Sequence, residues 1–550
     1  MYLQIICRLR LLLATVMVAA LTTSAFAQNA ELGKVEFPTS GSEKAQAHFL
    51  RGLAALHSFW FEEALEAFRE STKIEPDFMM GYWGEAMAHN HPLWSEQDTA
   101  AAREVIKKIK ETPKLSPRER AYLNAVKTLY GEGEKRARDT AYSAAMEKIY
   151  RDYADDLDAA AFYSLSLLGL VNSQQKSYRL QARAGAIALG VYEKNPNHPG
   201  AAHYIIHAFD DPEHAILALP AARRYADIAP EAHHARHMPS HIFLQLGMWP
   251  EAASSNESAW EVSDSWMKRK NLPASVRDYH SLHWLLYVYL QQGRYSKAEE
   301  LLNLMKKTMS ETSYQNKLRP GYYENNYANM AAAFVVETER WNLASKLFPD
   351  SLPAGEGAAV APHGAHGGGS TNGITVRTGS SSQRLPVFVR ALATAFDGAT
   401  TAHGSMIKAG TMSANTESKT VGELEVDAVS ASVKGDHERA AGLMGQAIKR
   451  EEELGPPSGP PEVIKQAHEL FGEILLRAGK PEAAAAQFEV SLLRQPNRAR
   501  SLLGKARTAA KLGDRITAAS TYRQFLEQWQ QADQKLPELL EAQDYLKKTP

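Results

Sequence analysis

GEILLRAGKPEAAAAQFEVSLLRQP, residues 472–496, sets Gly472, Gly479, Ala484, Phe488 and Pro496 at offsets 0, 7, 12, 16 and 24. Small residues on both sides let two antiparallel helices approach closely, an aromatic fills the gap to the next pair, and proline ends the second helix. A shift of 34 residues gives Ala506, Gly513, Ala518 and Tyr522. Gly52, Ala64, Phe68 and Pro76 carry the same offsets near the other end of the chain. One register at both ends implies a stack of helical hairpins.

A period of 34 with this spacing is the tetratricopeptide repeat (TPR) pattern. The centre carries a stretched form of it. Gly247, Trp249 and Ala252 are followed after 46 residues by Gly293, Tyr295 and Ala298, and then by Trp341 and Ala344. The segment ending at Ala215 and the one from Gly435 to Ala440 read as further members. Ser116 to Glu119, SPRE, is a capping box with proline at the first helical position. No stretch alternates well enough to be a strand. The expected fold is all-α, a TPR-type helical solenoid. Residues 28–349 form its N-terminal and central part, with a histidine-rich groove. Residues 350–385, rich in glycine and serine, form a flexible loop or linker, and 386–550 hold the C-terminal repeats.

Residues 1–27 read as a signal peptide: Arg8 and Arg10, an apolar run from Leu11, then Ala25-Phe26-Ala27 before Gln28. This places the protein in the periplasm or outside the cell. The only cysteine, Cys7, lies within the signal, so the mature chain has no thiol for disulfides, metal or catalysis. A net charge of −1 points to neither nucleic acid nor an anionic membrane as partner. After the signal no apolar run reaches membrane length.

Ten of the 19 histidines fall between His198 and His283. With the turn glycine of each repeat numbered fifteen, positions two, five and nine form one stripe of the first helix. In stacked repeats of this kind, by resemblance, that stripe lines the concave groove. In successive repeats it holds His234, His237 and His241, then His280, His283 and Tyr287, then Asn326, Asn329 and Ala333. His203 and His207 lie one turn apart in the preceding member, with Asp210, Asp211 and Glu213 close behind. Imidazoles one turn apart can share a first-row metal ion, so His203, His207, His237, His241, His280 and His283 are candidate ligands for zinc, copper, nickel or iron. His234, Tyr287, Tyr323, Asn326 and Asn329 are candidate contacts for a small ligand or peptide. Packing between helices is the third reading, and Pro239, between His237 and His241, bears on it. HEXXH, GxSxG and phosphate-loop motifs are absent, and no catalytic set can be assembled.

The stretches YWGEAMAHNHPLW, HPGAAHYIIHAFDDPEHA, HARHMPSHIFLQLGMWPEA and YHSLHWLLYVYLQQGRYSKAE span residues 82 to about 300. Through them the chain resembles exported bacterial TPR proteins with a histidine-rich centre, the tetratricopeptide repeat protein 38-like group. The resemblance implies a helical solenoid and brings no established activity. Two functions are expected from the sequence: an exported scaffold offering a histidine-lined pocket to a protein, peptide or small ligand, or a histidine-coordinated metalloprotein. Intact mass of protein exported by a bacterial host should correspond to a chain beginning at Gln28; a mass retaining residues 1–27 would refute the signal reading.

Overall fold

The computed structural model describes residues 31–171, 177–311, 321–348, 381–396, 419–455, 457–461 and 463–549. The expected signal peptide and most of the expected linker lie outside them. The last residues of that linker begin a helix, Ser381–Phe396. Among the described residues every regular element is helical except one hairpin, Asn90–His91 against Glu96–Gln97. The fold is therefore all-α and of the TPR type, as expected. The hairpin was not expected, because two residues per strand are too few to alternate visibly.

The chain forms two compact units. The first holds the residues up to Leu170, with Arg179–Ala208 and Pro220–Met238; the second holds Val171–Tyr178, Phe209–Leu219 and everything from Pro239. This division differs from one placed at a linker near 350–385. The repeats that follow Pro239 belong with the C-terminal ones.

In the first unit the opening hairpin is Glu43–His57 with Phe61–Ile74. Ser42 caps the first helix by accepting the amide of Ala45. Phe68, fully buried, lies between two glycines: a β-carbon at Gly52 would come within 2.8 Å of its ring, and one at Gly84 within 2.3 Å. Pro117–Leu129 starts on the capping box, with Ser116 and Glu119 bonding each other's backbone. Lys135–Asp152, Leu157–Gly169, Arg179–Lys194 and Pro199–Ala208 follow.

Five turn glycines of the repeats, Gly247, Gly293, Gly435, Gly479 and Gly513, have φ between +66° and +82°. Only glycine adopts this conformation without a steric penalty. The same turn of the first repeat holds Phe59, at φ +52°. A left-handed residue with a β-carbon costs roughly 1–2 kcal/mol, and such strain tends to sit at functional positions.

In the second unit Trp249–Arg269 follows Pro239–Gln245, and Tyr279–Gln291 pairs with Tyr295–Glu311. Ala467–Arg477 with Pro481–Arg494, and Ala499–Leu512 with Arg515–Gln528, are the repeats read first in the sequence. Phe488 sits between Gly472 and Gly504 as Phe68 does between its glycines. An ordinary solenoid contacts only neighbouring repeats; this unit departs from that rule. The Trp249 indole donates to the Asn497 carbonyl at 2.8 Å, and the Asn497 amide donates to the Gly247 carbonyl at 3.1 Å. The Trp529 indole donates to the Gln291 carbonyl at 2.9 Å. Arg498, fully buried, grips Glu469 through two nitrogens at 2.7 and 3.0 Å, Glu337 at 2.6 Å and the Tyr287 hydroxyl at 2.8 Å. Glu469 and Tyr287 occupy stripe positions five and nine of their repeats, so here the stripe meets protein and not an open groove.

Phe488→Ala should remove the wedge from both glycine contacts at once. Denaturant unfolding should show a loss of about 3–5 kcal/mol. A loss below about 1 kcal/mol would mean the glycines close up without the ring.

Candidate functional site

Helix Pro199–Ala208 is buried along its whole length and carries His203 and His207 one turn apart. His198 caps it, its Nδ1 accepting the amide of Ala201 at 3.1 Å. His234 comes from the short helix His233–His237. His203, His207 and His234 are all buried, and each offers a nitrogen within 4.8 Å of the others. The strained Phe59 stands among them, its ring centre 4.3 Å from His203, 5.8 Å from His207 and 5.7 Å from His234. Trp94, from the hairpin turn, lies 6.0 Å from His234, and Tyr225 stacks on His203 at 5.3 Å.

Hydrogen bonding decides which nitrogen carries the proton. His203 Nδ1 is 2.7 Å from the backbone carbonyl of His57, which can only accept. The Nδ1 of His203 is therefore protonated, and in the neutral ring its Nε2 keeps a lone pair. His207 Nε2 lies 2.9 Å from that lone pair and donates to it. Histidines that bind metals commonly hold their other N–H on a backbone carbonyl in this manner.

A second trio, His57, Asp158 and His198, is equally compact and buried, yet different in kind. Because His198 Nδ1 accepts from Ala201, its Nε2 carries the proton and faces Asp158 Oδ1 at 3.4 Å. His57 Nε2 donates to the same oxygen at 2.8 Å, and His57 Nδ1 accepts from the Tyr204 hydroxyl at 2.9 Å. Both imidazole lone pairs are thus occupied by protein donors, which leaves a structural clasp. Burial would raise the Asp158 carboxyl, but the neighbouring N–H groups of His198 and His57 outweigh it and hold it well below the usual carboxylate range. Burial pushes the His57 imidazole down, against the pull of Asp158. Gly200 lets the helix pass this close: a β-carbon there would meet His57 Nδ1 at 2.4 Å.

Of the six expected metal ligands, the first unit brings His203 and His207 together with His234, a residue expected instead to touch an organic ligand. His237 is buried in the same unit, its ring 5.9 Å from that of His234. His241, His280 and His283 belong to the second unit. There His241 is buried, with Nδ1 2.7 Å from Asp210 Oδ2 and its ring 4.1 Å from Trp284. His280 is half-buried and its ring lies 5.7 Å from Trp284, while His283 is buried. Of the remaining candidate ligand contacts, Tyr287, Tyr323 and Asn326 are buried and Asn329 is half-buried. Tyr287 bonds Arg498, and Tyr323 donates to the Ser275 carbonyl at 2.7 Å. The Asn326 and Asn329 amides donate to backbone carbonyls four residues back. His57 and Asp158 escaped the sequence reading. The one available signal was a histidine on the otherwise apolar stretch GLAALHSFW.

Repeated helical hairpins with aromatic wedges give the chain a fold of the TPR type. The tetratricopeptide repeat family model matches residues 45–78, the opening hairpin. No curated protein matches the chain. Solved structures similar to it include a tetratricopeptide repeat protein from Parabacteroides merdae, at 14% identity over 58% of this chain and 98% of that one, TM-score 0.28. Yeast Tom70 aligns at 10% identity over 86% and 90%, TM-score 0.30. The human IFIT1 dimer with m7Gppp-AAAA aligns at 12% over 95% and 92%, TM-score 0.32. Among the described residues no helix is long and apolar enough to cross a membrane.

The Asp158 clasp gives a signed pH dependence. A carboxyl held below its ordinary value contributes stability that is present above about pH 4 and is lost as pH falls further. Asp158→Asn should lower stability at pH 7 by about 1.5–3 kcal/mol, and the gap from the native protein should narrow below pH ~4. An unchanged gap in urea titrations down to pH ~2.5 would show that the carboxylate is not the bonded form.

Proposed function

We propose that this chain is an exported TPR-type protein whose first unit holds a first-row transition metal ion on His203, His207 and His234. One observation carries the reading: the His57 carbonyl fixes the His203 proton on Nδ1 and leaves Nε2 facing two further imidazoles. Three neutral imidazoles without thiolate suit zinc, copper, nickel or iron. Zinc on three histidines keeps a fourth position for water or another ligand, where it acts as a Lewis acid. Binding through His207 Nε2 would move that ring's proton to Nδ1, and protonation of the imidazoles competes with the metal, so affinity falls as the medium becomes acid.

The repeat fold supports protein–protein interaction, and a protein or peptide partner belongs to the same proposal. Export, expected from residues 1–27, would place the centre in a compartment where a chain without cysteine draws its metal through imidazole alone.

Protein exported by a bacterial host and purified without chelator should contain about one metal ion per chain. After chelation, zinc at roughly 100 times its Kd should add about 2.7 kcal/mol to the unfolding free energy. His203→Ala and His207→Ala should abolish both effects, whereas His241→Ala should keep them. Metal-free protein whose melting temperature ignores zinc, copper, nickel and iron would end this reading.

A further inference from the structure

In the second unit, helix His437–Glu453 is joined to Ala467–Arg477 by 13 residues. The corresponding link in the next repeat, from Arg494 to Ala499, has four. The extra length does not bulge into solvent. Gly459, Pro460, Pro461, Ile464 and Lys465 are buried, and Pro457 and Ser458 are half-buried. Loops normally run over the surface, because a buried loop carries backbone groups that find no partner. Proline lightens that cost, having no N–H to satisfy. Pro457–Pro461, PSGPP, has three prolines in five residues.

The first helices of two earlier repeats supply the seat for these five residues. Gly459 packs directly on Trp284, where a β-carbon would meet Cζ2 at 2.5 Å. Trp284 is packed in turn on His241, with ring centres 4.1 Å apart, and His241 is held by Asp210 Oδ2 at 2.7 Å. Asp210 Oδ1 accepts from Gln245 Nε2 at 3.1 Å, which fixes the direction of the Gln245 amide. The same nitrogen donates to the Pro457 carbonyl at 2.9 Å. One carboxyl group thus positions both an indole face and an amide donor for a single segment. An aromatic surface is what proline-rich segments dock on, and their stiff backbone loses little entropy in doing so. The link is also about three times as long as the connection requires, so the repeats can stay joined when these residues leave the seat.

We propose that Pro457–Pro461 is a tethered occupant of a proline-recognising site made by Trp284 and Gln245, and that a proline-rich segment of a partner protein takes its place. The partner segment carries glycine where its backbone meets the indole, prolines on either side, and a carbonyl for Gln245. A short tether holds its own segment at an effective concentration in the millimolar range. The site is therefore closed to weak ligands and opens to a partner that binds more tightly. The proposal rests on the repeats acting as a protein-binding scaffold and is independent of the metal.

Fluorescence anisotropy of a labelled peptide with the sequence of residues 453–464, ELGPPSGPPEVI, tests this on the full chain in chelator. Gly459→Ala should push the tethered segment off Trp284, and this variant should bind the peptide about ten-fold more tightly than the native chain. Pro457→Ser, Pro460→Ser and Pro461→Ser together should do the same, with circular dichroism showing the native helix content. Adding Gln245→Met should cancel the gain. A peptide with serine in place of its prolines should bind about ten-fold more weakly. On the native chain, the unlabelled peptide at millimolar concentration should speed amide hydrogen exchange at Ser458 and Gly459 as the segment is displaced. No binding to a folded variant, equal affinity of the native and variant chains, equal binding of the serine peptide, or unchanged exchange at Ser458 and Gly459 would each overturn the proposal. The scaffold reading would survive these results and would fall only if no partner bound any face of the folded chain.

Discussion

A phenylalanine ring held between two glycines sets the distance between successive helix pairs. Phe68 does this in the first unit and Phe488 in the second, and in both the glycine β-position is already filled by ring atoms. The ring and the glycines are one device: a methyl on either side collides, and a smaller ring leaves a void. The left-handed turn after the first helix completes the hairpin. Where glycine supplies it the turn is free of strain. At Phe59 the chain accepts the strain, and what it gains is an aromatic ring among three imidazoles that no glycine could provide.

The hairpins were legible because their determinants are local. Gly472, Phe488 and Pro496 act within one period, and the capping box at Ser116 and Glu119 acts within one turn. The stripe of positions two, five and nine was legible as a periodicity, but its surroundings were not. Nothing near Tyr287 or Glu469 in sequence announces that Arg498 will fill the space before them. The hairpin carrying Asn90 and Trp94 was missed for a related reason: its strands are too short to leave a pattern, and its importance comes from what it faces.

The site was half legible. His203 and His207 could be paired from helical spacing alone, since one turn separates them on one face. His234 was placed on the same stripe as His237 and His241, yet the short helix breaks near Pro239 and the two sides of the break belong to different units. The difference between the two buried trios lies beyond any sequence pattern. In one, the lone pairs of His57 and His198 are taken by Tyr204 and Ala201. In the other, a backbone carbonyl takes the proton of His203 and turns its lone pair toward other imidazoles. Counting histidines cannot tell these two arrangements apart, whereas following each proton can.

The bond between Asn497 and Gly247 joins residues 250 apart. Repeat proteins usually fold quickly because each pair of helices needs only its neighbour. Here Trp249 and Tyr287 are synthesised long before Asn497 and Arg498, the groups that close over them. A chain made N-terminus first must keep that surface from sticking elsewhere until its final repeats are made, so assembly of the second unit waits on its last helices and proceeds with the slow closure typical of high contact order.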